Sequence, residues 1–102
     1  MAEVIVSKGA DADLERLVKF LSEEEPAAAL ATYDHLLGAL EVLRTYPSIG
    51  RPVDGVLREL VISRGVTGYL ALYEYDARAE RVVILALRHQ REAGYPEQGA
   101  ME

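Results

Sequence analysis

Cysteine and tryptophan are absent from the 102 residues, and there are only one phenylalanine and two histidines. Without cysteine there is no disulfide framework and no thiolate metal site, which fits a reducing compartment. The histidines, His35 and His89, lie far apart among scattered acids, so neither a metal nor another cofactor is expected. No apolar run approaches the ~20 residues that span a bilayer, so no membrane partner is expected. The first residues, Met1-Ala2-Glu3-Val4-Ile5-Val6, carry no basic region and no long apolar stretch. No signal peptide is therefore expected, and the expected location is the cytoplasm.

Half of the residues are hydrophobic, and a chain of this length suits one domain with one modest core, spanning 1–102. The formal net charge is −6, unevenly spread. Residues 1–45 hold nine acids and four bases, whereas residues 46–91 hold seven arginines and five acids. An acidic helical half thus joins a mildly basic sheet half. The overall acidity disfavours broad nucleic-acid binding, which rests on neutralising phosphates.

Residues 3–7 read as a short strand, and Ser7 or Asp11 can cap a following helix. Leu14, Leu17, Val18 and Leu21 then recur at helical spacing, with Phe20 at the edge of the stripe. Glu23-Glu24-Glu25-Pro26 ends this helix, and Pro26 suits the first turn of the next. In residues 27–44, Leu30, Tyr33, Leu37 and Leu40 line one face, widened by Leu36 and Leu43; Gly38 is expected to admit a close approach of the first helix. Two prolines and two glycines in residues 46–55 predict an irregular connector.

Three strands are expected over 57–63, 69–75 and 81–88, joined by short loops and hence antiparallel. The last strand runs through six apolar residues, Val82-Val83-Ile84-Leu85-Ala86-Leu87, and leaves through Arg88-His89-Gln90-Arg91. Its β-branched residues and short length favour a buried strand. Leu70, Leu72, Val83, Leu85 and Leu87 are assigned to the helix-facing side, leaving the tyrosines on the open side. The tail from about residue 96 is expected to be flexible. The predicted fold is α+β and two-layered, in the order β-α-α-β-β-β, with a helical hairpin covering one face of a mainly antiparallel four-stranded sheet.

Five segments in this order carry a resemblance: Ala12-Asp13-Leu14-Glu15-Arg16-Leu17; Tyr46-Pro47-Ser48-Ile49-Gly50-Arg51-Pro52; Leu57-Arg58-Glu59-Leu60-Val61-Ile62; Gly68-Tyr69-Leu70-Ala71-Leu72-Tyr73; and Val83-Ile84-Leu85-Ala86-Leu87-Arg88-His89, with Arg91 and Tyr95 beyond. Over about residues 4–95 the chain resembles the RelE/ParE superfamily, the toxins of bacterial type II toxin–antitoxin modules, also called plasmid stabilisation proteins. The Pro-x-x-Gly-Arg-Pro element, the Arg-Glu-Leu strand and the Leu-Arg-His-x-Arg exit look more like the ParE branch. That likeness implies growth inhibition through DNA gyrase, and neutralisation by a cognate antitoxin. The alternative implied by the RelE branch is a ribosome-dependent endoribonuclease acting on mRNA. A third is a family member without toxicity, which the acidic charge leaves open, because toxins of this superfamily are usually basic.

Cleaving RNA through a 2′-hydroxyl needs a base, cations for the crowded phosphate and an acid for the leaving oxygen. His89, Arg88, Arg91 and Tyr95 are the candidates for that chemistry, with Arg58 and Arg64 adding charge from the neighbouring strand. For binding a target or an antitoxin the candidates are Arg51, Arg58, Arg64, Tyr73, Arg88, His89 and Arg91. Arg51 has a structural reading beside the functional one, since pairing with Asp54 or Glu59 would pin the connector to the sheet. Arg58 and Glu59 are neighbours on a strand, so they point to opposite faces. Tyr69, Tyr73 and Tyr75 could stack bases, but read better as a half-buried sheet surface or an antitoxin groove. His35 reads as a surface residue.

Overall fold

The computed structural model of the chain describes residues 1–64 and 67–92. The elements are β1 (Glu3–Val6), α1 (Lys8–Glu24), α2 (Pro26–Thr45), β2 (Arg51–Asp54), β3 (Leu57–Arg64), β4 (Thr67–Asp76) and β5 (Arg81–His89). Ser7 caps α1, its side chain accepting the Ala10 N–H at 3.1 Å. Glu25 separates the helices, and Pro26 opens α2 where a missing N–H costs least. The strands form one sheet in the order β1-β5-β4-β3-β2. β1 runs parallel to β5, and the other pairings are antiparallel.

The architecture is the expected α+β one, with one strand more than four. Residues 51–54, assigned above to an irregular connector, form β2 and pair with β3. Proline is tolerated there because β2 is an edge strand, where a residue without an N–H need not break the ladder.

Leu87 is buried against the helices as expected, but the two faces of the sheet are otherwise the reverse of those expected. The core joins Leu14 and Leu17 of α1 and Leu36, Leu40 and Leu43 of α2 to Ile62, Tyr69, Ala71, Tyr73, Val82, Ile84 and Leu87. The tyrosines therefore face the helices, while Leu70, Leu72, Val83 and Leu85 lie on the other side. Alternation with period two groups residues by face but does not say which face turns inward. Leu87 joins Val82 and Ile84 through a bulge: Leu72 pairs with Ala86 and Tyr73 with Ile84, so Leu85 is the extra residue.

Three smaller expectations also change. Leu30 is exposed, because Ala29 and Thr32 extend the buried stripe of α2 instead. Phe20 is 61% exposed rather than packed at the stripe's edge. A Cβ built on Gly38 would meet nothing within 4 Å, so this glycine serves no close approach.

Candidate functional site

The residues singled out from the sequence fall into two groups at opposite ends of the central strands. Arg51, Arg58 and Tyr73 gather where the chain returns to the sheet after α2. Arg88, His89 and Arg91 gather where it leaves. On β4, Tyr73 pairs with Arg58 and Tyr69 pairs with Ile62 and His89, so four residues, or about 13 Å of strand, separate the groups. Arg64 closes β3 as the partner of Thr67, at the His89 end; Arg58 lies at the other end and adds no charge to that rim. Tyr95 and the tail from about residue 96, expected to be flexible, lie outside the described residues.

At the entrance, Tyr73 is fully buried. Its hydroxyl donates to the Pro47 carbonyl at 2.7 Å and accepts the Gly50 N–H at 2.9 Å. Burial raises its pKa above the usual 10.0, so the phenol stays protonated and able to donate. Arg58 spends one guanidinium nitrogen on the carbonyls of Ser48, at 3.0 Å, and Gly50, at 2.7 Å. Arg51 pairs with the buried Glu59, its Nε donating at 3.1 Å. The connector is thus wrapped around side chains of β3 and β4. A Cβ on Gly50 would lie 2.7 Å from the Tyr73 ring and 2.9 Å from the Glu59 carbonyl oxygen, so glycine is required here by space.

At the exit, the His89 ring meets Tyr69 edge to face, centroids 5.2 Å apart. Its Nδ1 accepts the Arg91 N–H at 3.1 Å, which in a neutral ring puts the proton on Nε2. Arg88 reaches the Glu92 carbonyl at 2.7 Å and, more loosely, those of His89 and Gln90. The Glu92 carboxylate takes the His89 N–H at 2.9 Å and the Arg16 guanidinium at 2.5 Å. This arrangement builds a tight corner that engages the side chains of His89 and Arg88, while Arg91 contributes its backbone N–H.

Sequence reasoning did not pick out Asp13 and Arg16 as individuals, although both lie in a segment that carried the resemblance. β1 ends opposite Ile84 while β5 continues to His89. Beyond that point, side chains of the α1 region satisfy the open edge of β5. Ser7 Oγ lies 3.4 Å from the Leu85 carbonyl, Asp13 accepts the Leu87 N–H at 2.9 Å, and Arg16 donates to the Leu87 carbonyl at 3.3 Å. Burial raises the pKa of Asp13 above 3.8, against the opposing pull of the Leu87 N–H and Arg16. The signal in the sequence was an acid and a base three apart beside the apolar stripe of α1.

Among the described residues no group of three or more acids, histidines or cysteines is placed to hold a metal ion. None of the helices among them is long and apolar enough to cross a membrane. A shallow depression lined by Val56, Glu74, Tyr75, Asp76, Ala77, Arg81 and Val83 contains none of the candidate residues.

Residues 4–94 match the model of the ParE toxin of the type II toxin–antitoxin system parDE. Toxin RelE3 of Caulobacter vibrioides is 33% identical over 92 residues, covering 90% of this chain and 98% of that protein. A chain from the chromosomal ParDE toxin–antitoxin system of P. aeruginosa shares the fold with a TM-score of 0.72 at 19% identity, covering 87% of this chain and 96% of that one. A chain of the toxin–antitoxin complex RelBE2 from Mycobacterium tuberculosis superposes with a TM-score of 0.54 at 25% identity, over 86% of this chain and 96% of that one. With most of its length matched by that model and by a curated relative, the chain belongs to the ParE family of type II toxin–antitoxin toxins, within the RelE/ParE superfamily.

Proposed function

We propose that this chain is a growth-arresting toxin that binds DNA gyrase as a protein inhibitor in the cytoplasm and is neutralised by a cognate antitoxin. The observation that carries the reading is the exit of β5. His89, Arg88 and Arg91 sit together there, but His89 Nδ1 is taken by the Arg91 backbone N–H, and one nitrogen of the Arg88 guanidinium by backbone carbonyls of the same corner. A general base needs an open nitrogen within reach of a hydroxyl, and phosphate chemistry needs cations aimed at the substrate. A net charge of −6 also works against holding RNA. The match to the ParE toxin model supports the same target class. The partner reading is supported by the toxin–antitoxin complex among the structural neighbours. A gyrase supercoiling assay tests the proposal: the purified chain at stoichiometric excess is expected to inhibit, and unimpaired supercoiling would overturn the target.

A second reading is ribosome-dependent mRNA cleavage. It is favoured by the relative named Toxin RelE3, and by the collection of His89, Arg88 and Arg91 at one rim. Mapping of transcript ends after induction separates the two. New ends during growth arrest support cleavage, and intact transcripts exclude it. Normal growth with the protein present would instead mark a member without toxicity.

A further inference from the structure

Exposed apolar side chains need no explanation when they stand singly, but a group of them beside polar residues marks a contact surface. Of the eleven large apolar side chains exposed among the described residues, Tyr46, Ile49, Val53 and Val56 fall within one eleven-residue stretch, each 51–61% exposed. Elsewhere nothing denser occurs than the pair Ile5 and Val6. The stretch comprises the connector after α2, β2 and the turn into β3. A connector held by its own apolar residues would turn them inward. This one does the reverse. Its inward fastenings are polar: the Tyr73 hydroxyl on Pro47 and Gly50, Arg58 on Ser48 and Gly50, and the pair of Arg51 with Glu59. Tyr73 and Glu59 are buried, where a polar group is costly unless it is bonded. The backbone is thus fixed from within while the apolar side chains face solvent. A surface fixed before its partner arrives loses less freedom on binding.

We propose that this stretch, with Tyr46 and Ile49 as its apolar anchors and Arg58 as its charge, is the surface that docks onto DNA gyrase. This rests on the gyrase reading above and names the part of the chain that meets the enzyme. The contact is made by side chains. The edge of β2 is a poor template for an added strand, because Pro52 has no N–H and the register slips between Pro52 and Asp54. Charge selects the occupant. Residues 46–58 hold two arginines, Arg51 and Arg58, and one acid, Asp54, within a chain of net charge −6. Arg51 is matched by Glu59. Arg58 bonds to carbonyls, which do not balance its charge. The partner surface therefore brings a carboxylate for Arg58 and aliphatic or aromatic groups for Tyr46 and Ile49. Tyrosine and arginine are the residue types that most often anchor such contacts. A second copy would bring another −6 to a chain already at −6, and net charge of one sign opposes self-association. A pliable antitoxin segment orders itself on what it meets, whereas two folded proteins must match beforehand. The fixed backbone of this stretch suits the second case.

The test measures gyrase binding by titration calorimetry and inhibition by the supercoiling assay, with folding of each variant verified by circular dichroism. Ile49→Glu puts a carboxylate into the surface, and Tyr46→Ala removes its ring. Leu30→Glu on α2 is the control, making the same change of charge at an exposed apolar residue outside the stretch. The expected result is a loss of gyrase affinity, and of inhibition, of about tenfold or more for Ile49→Glu and Tyr46→Ala, with the control within about twofold of wild type. If Ile49→Glu does not fold, Tyr46→Ala alone decides. Gyrase affinity unchanged in the folded variants, or an equal loss in the control, overturns the surface. Gyrase binding retained while co-purification with the antitoxin is lost overturns it too, and assigns the stretch to the antitoxin. A wild-type dimer that Ile49→Glu dissolves, with gyrase binding kept, assigns it to a second copy instead. A wild-type chain that neither binds nor inhibits gyrase overturns the gyrase reading itself, an outcome distinct from the others.

Discussion

Tyr73 serves two partners through one hydroxyl, donating to Pro47 O and accepting from Gly50 N. Tyr73→Phe keeps the ring but leaves both backbone groups without their partner. It is expected to lower stability by about 1–3 kcal/mol, read from the denaturant midpoint. A change below about 0.5 kcal/mol would mean that the connector does not depend on this hydroxyl. Asp13 makes a prediction of opposite character. Its folded pKa is raised above 3.8 by burial, so the folded state holds the proton more tightly than the unfolded chain. The stability this contributes is complete below the unfolded value and is lost as pH rises through the raised folded one. Asn can accept the same Leu87 N–H without ionising. Relative to wild type, Asp13→Asn is therefore expected to gain stability as pH rises through that window and to level off above it. Denaturant melts across a pH series would check this, and a difference independent of pH would refute it.

Among the elements, α2 shows how an apparent defect can be plain surface. Gly38 lies inside a 20-residue helix with open space where its Cβ would be. Gly38→Ala is expected to stabilise the protein by about 1 kcal/mol, seen as a higher melting temperature, because alanine restricts the unfolded backbone and fits the helix. A loss of stability would mean that the glycine is needed for a contact after all. β5 shows the limit of pattern reading. Its six apolar residues marked it as buried, and it does lie inside the sheet between β1 and β4. Which residues face the helices was not legible, because the bulge at Leu85 shifts the alternation midway. β2 escaped notice for a related reason. Proline and glycine mark the absence of regular structure locally, but only the pairing with β3 makes residues 51–54 a strand.

For the whole molecule, the question is whether the β5 exit does chemistry or holds the fold. The Arg88-His89-Gln90-Arg91 cluster was visible in the sequence, as was the possible pairing of Arg51 with Glu59, which the structure contains. That Arg88 and His89 turn back onto their own backbone was not visible, since it depends on how the chain bends after β5. Under the gyrase reading, His89→Ala is expected to leave growth arrest within about twofold once the level of folded protein is matched, whereas loss of a catalytic acid or base costs about 100-fold or more. Arrest abolished at an equal level of folded protein would return the site to the nuclease reading.

The sequence alone determined the element order apart from β2, the two-layer class and the family likeness, because helical and strand periodicities, proline placement and short loops are local properties written into consecutive residues. It also set the net charge, which bears on nucleic acid and on self-association. Only the tertiary structure decided which sheet face turned inward, that Tyr73 belongs to the core rather than to a surface, and which polar groups are spent. Those outcomes depend on contacts between residues far apart in the chain: Asp13 with Leu87, Arg16 with Glu92, and Pro47 with Tyr73. No local pattern encodes such contacts, because each exists only after the helices have settled on the sheet.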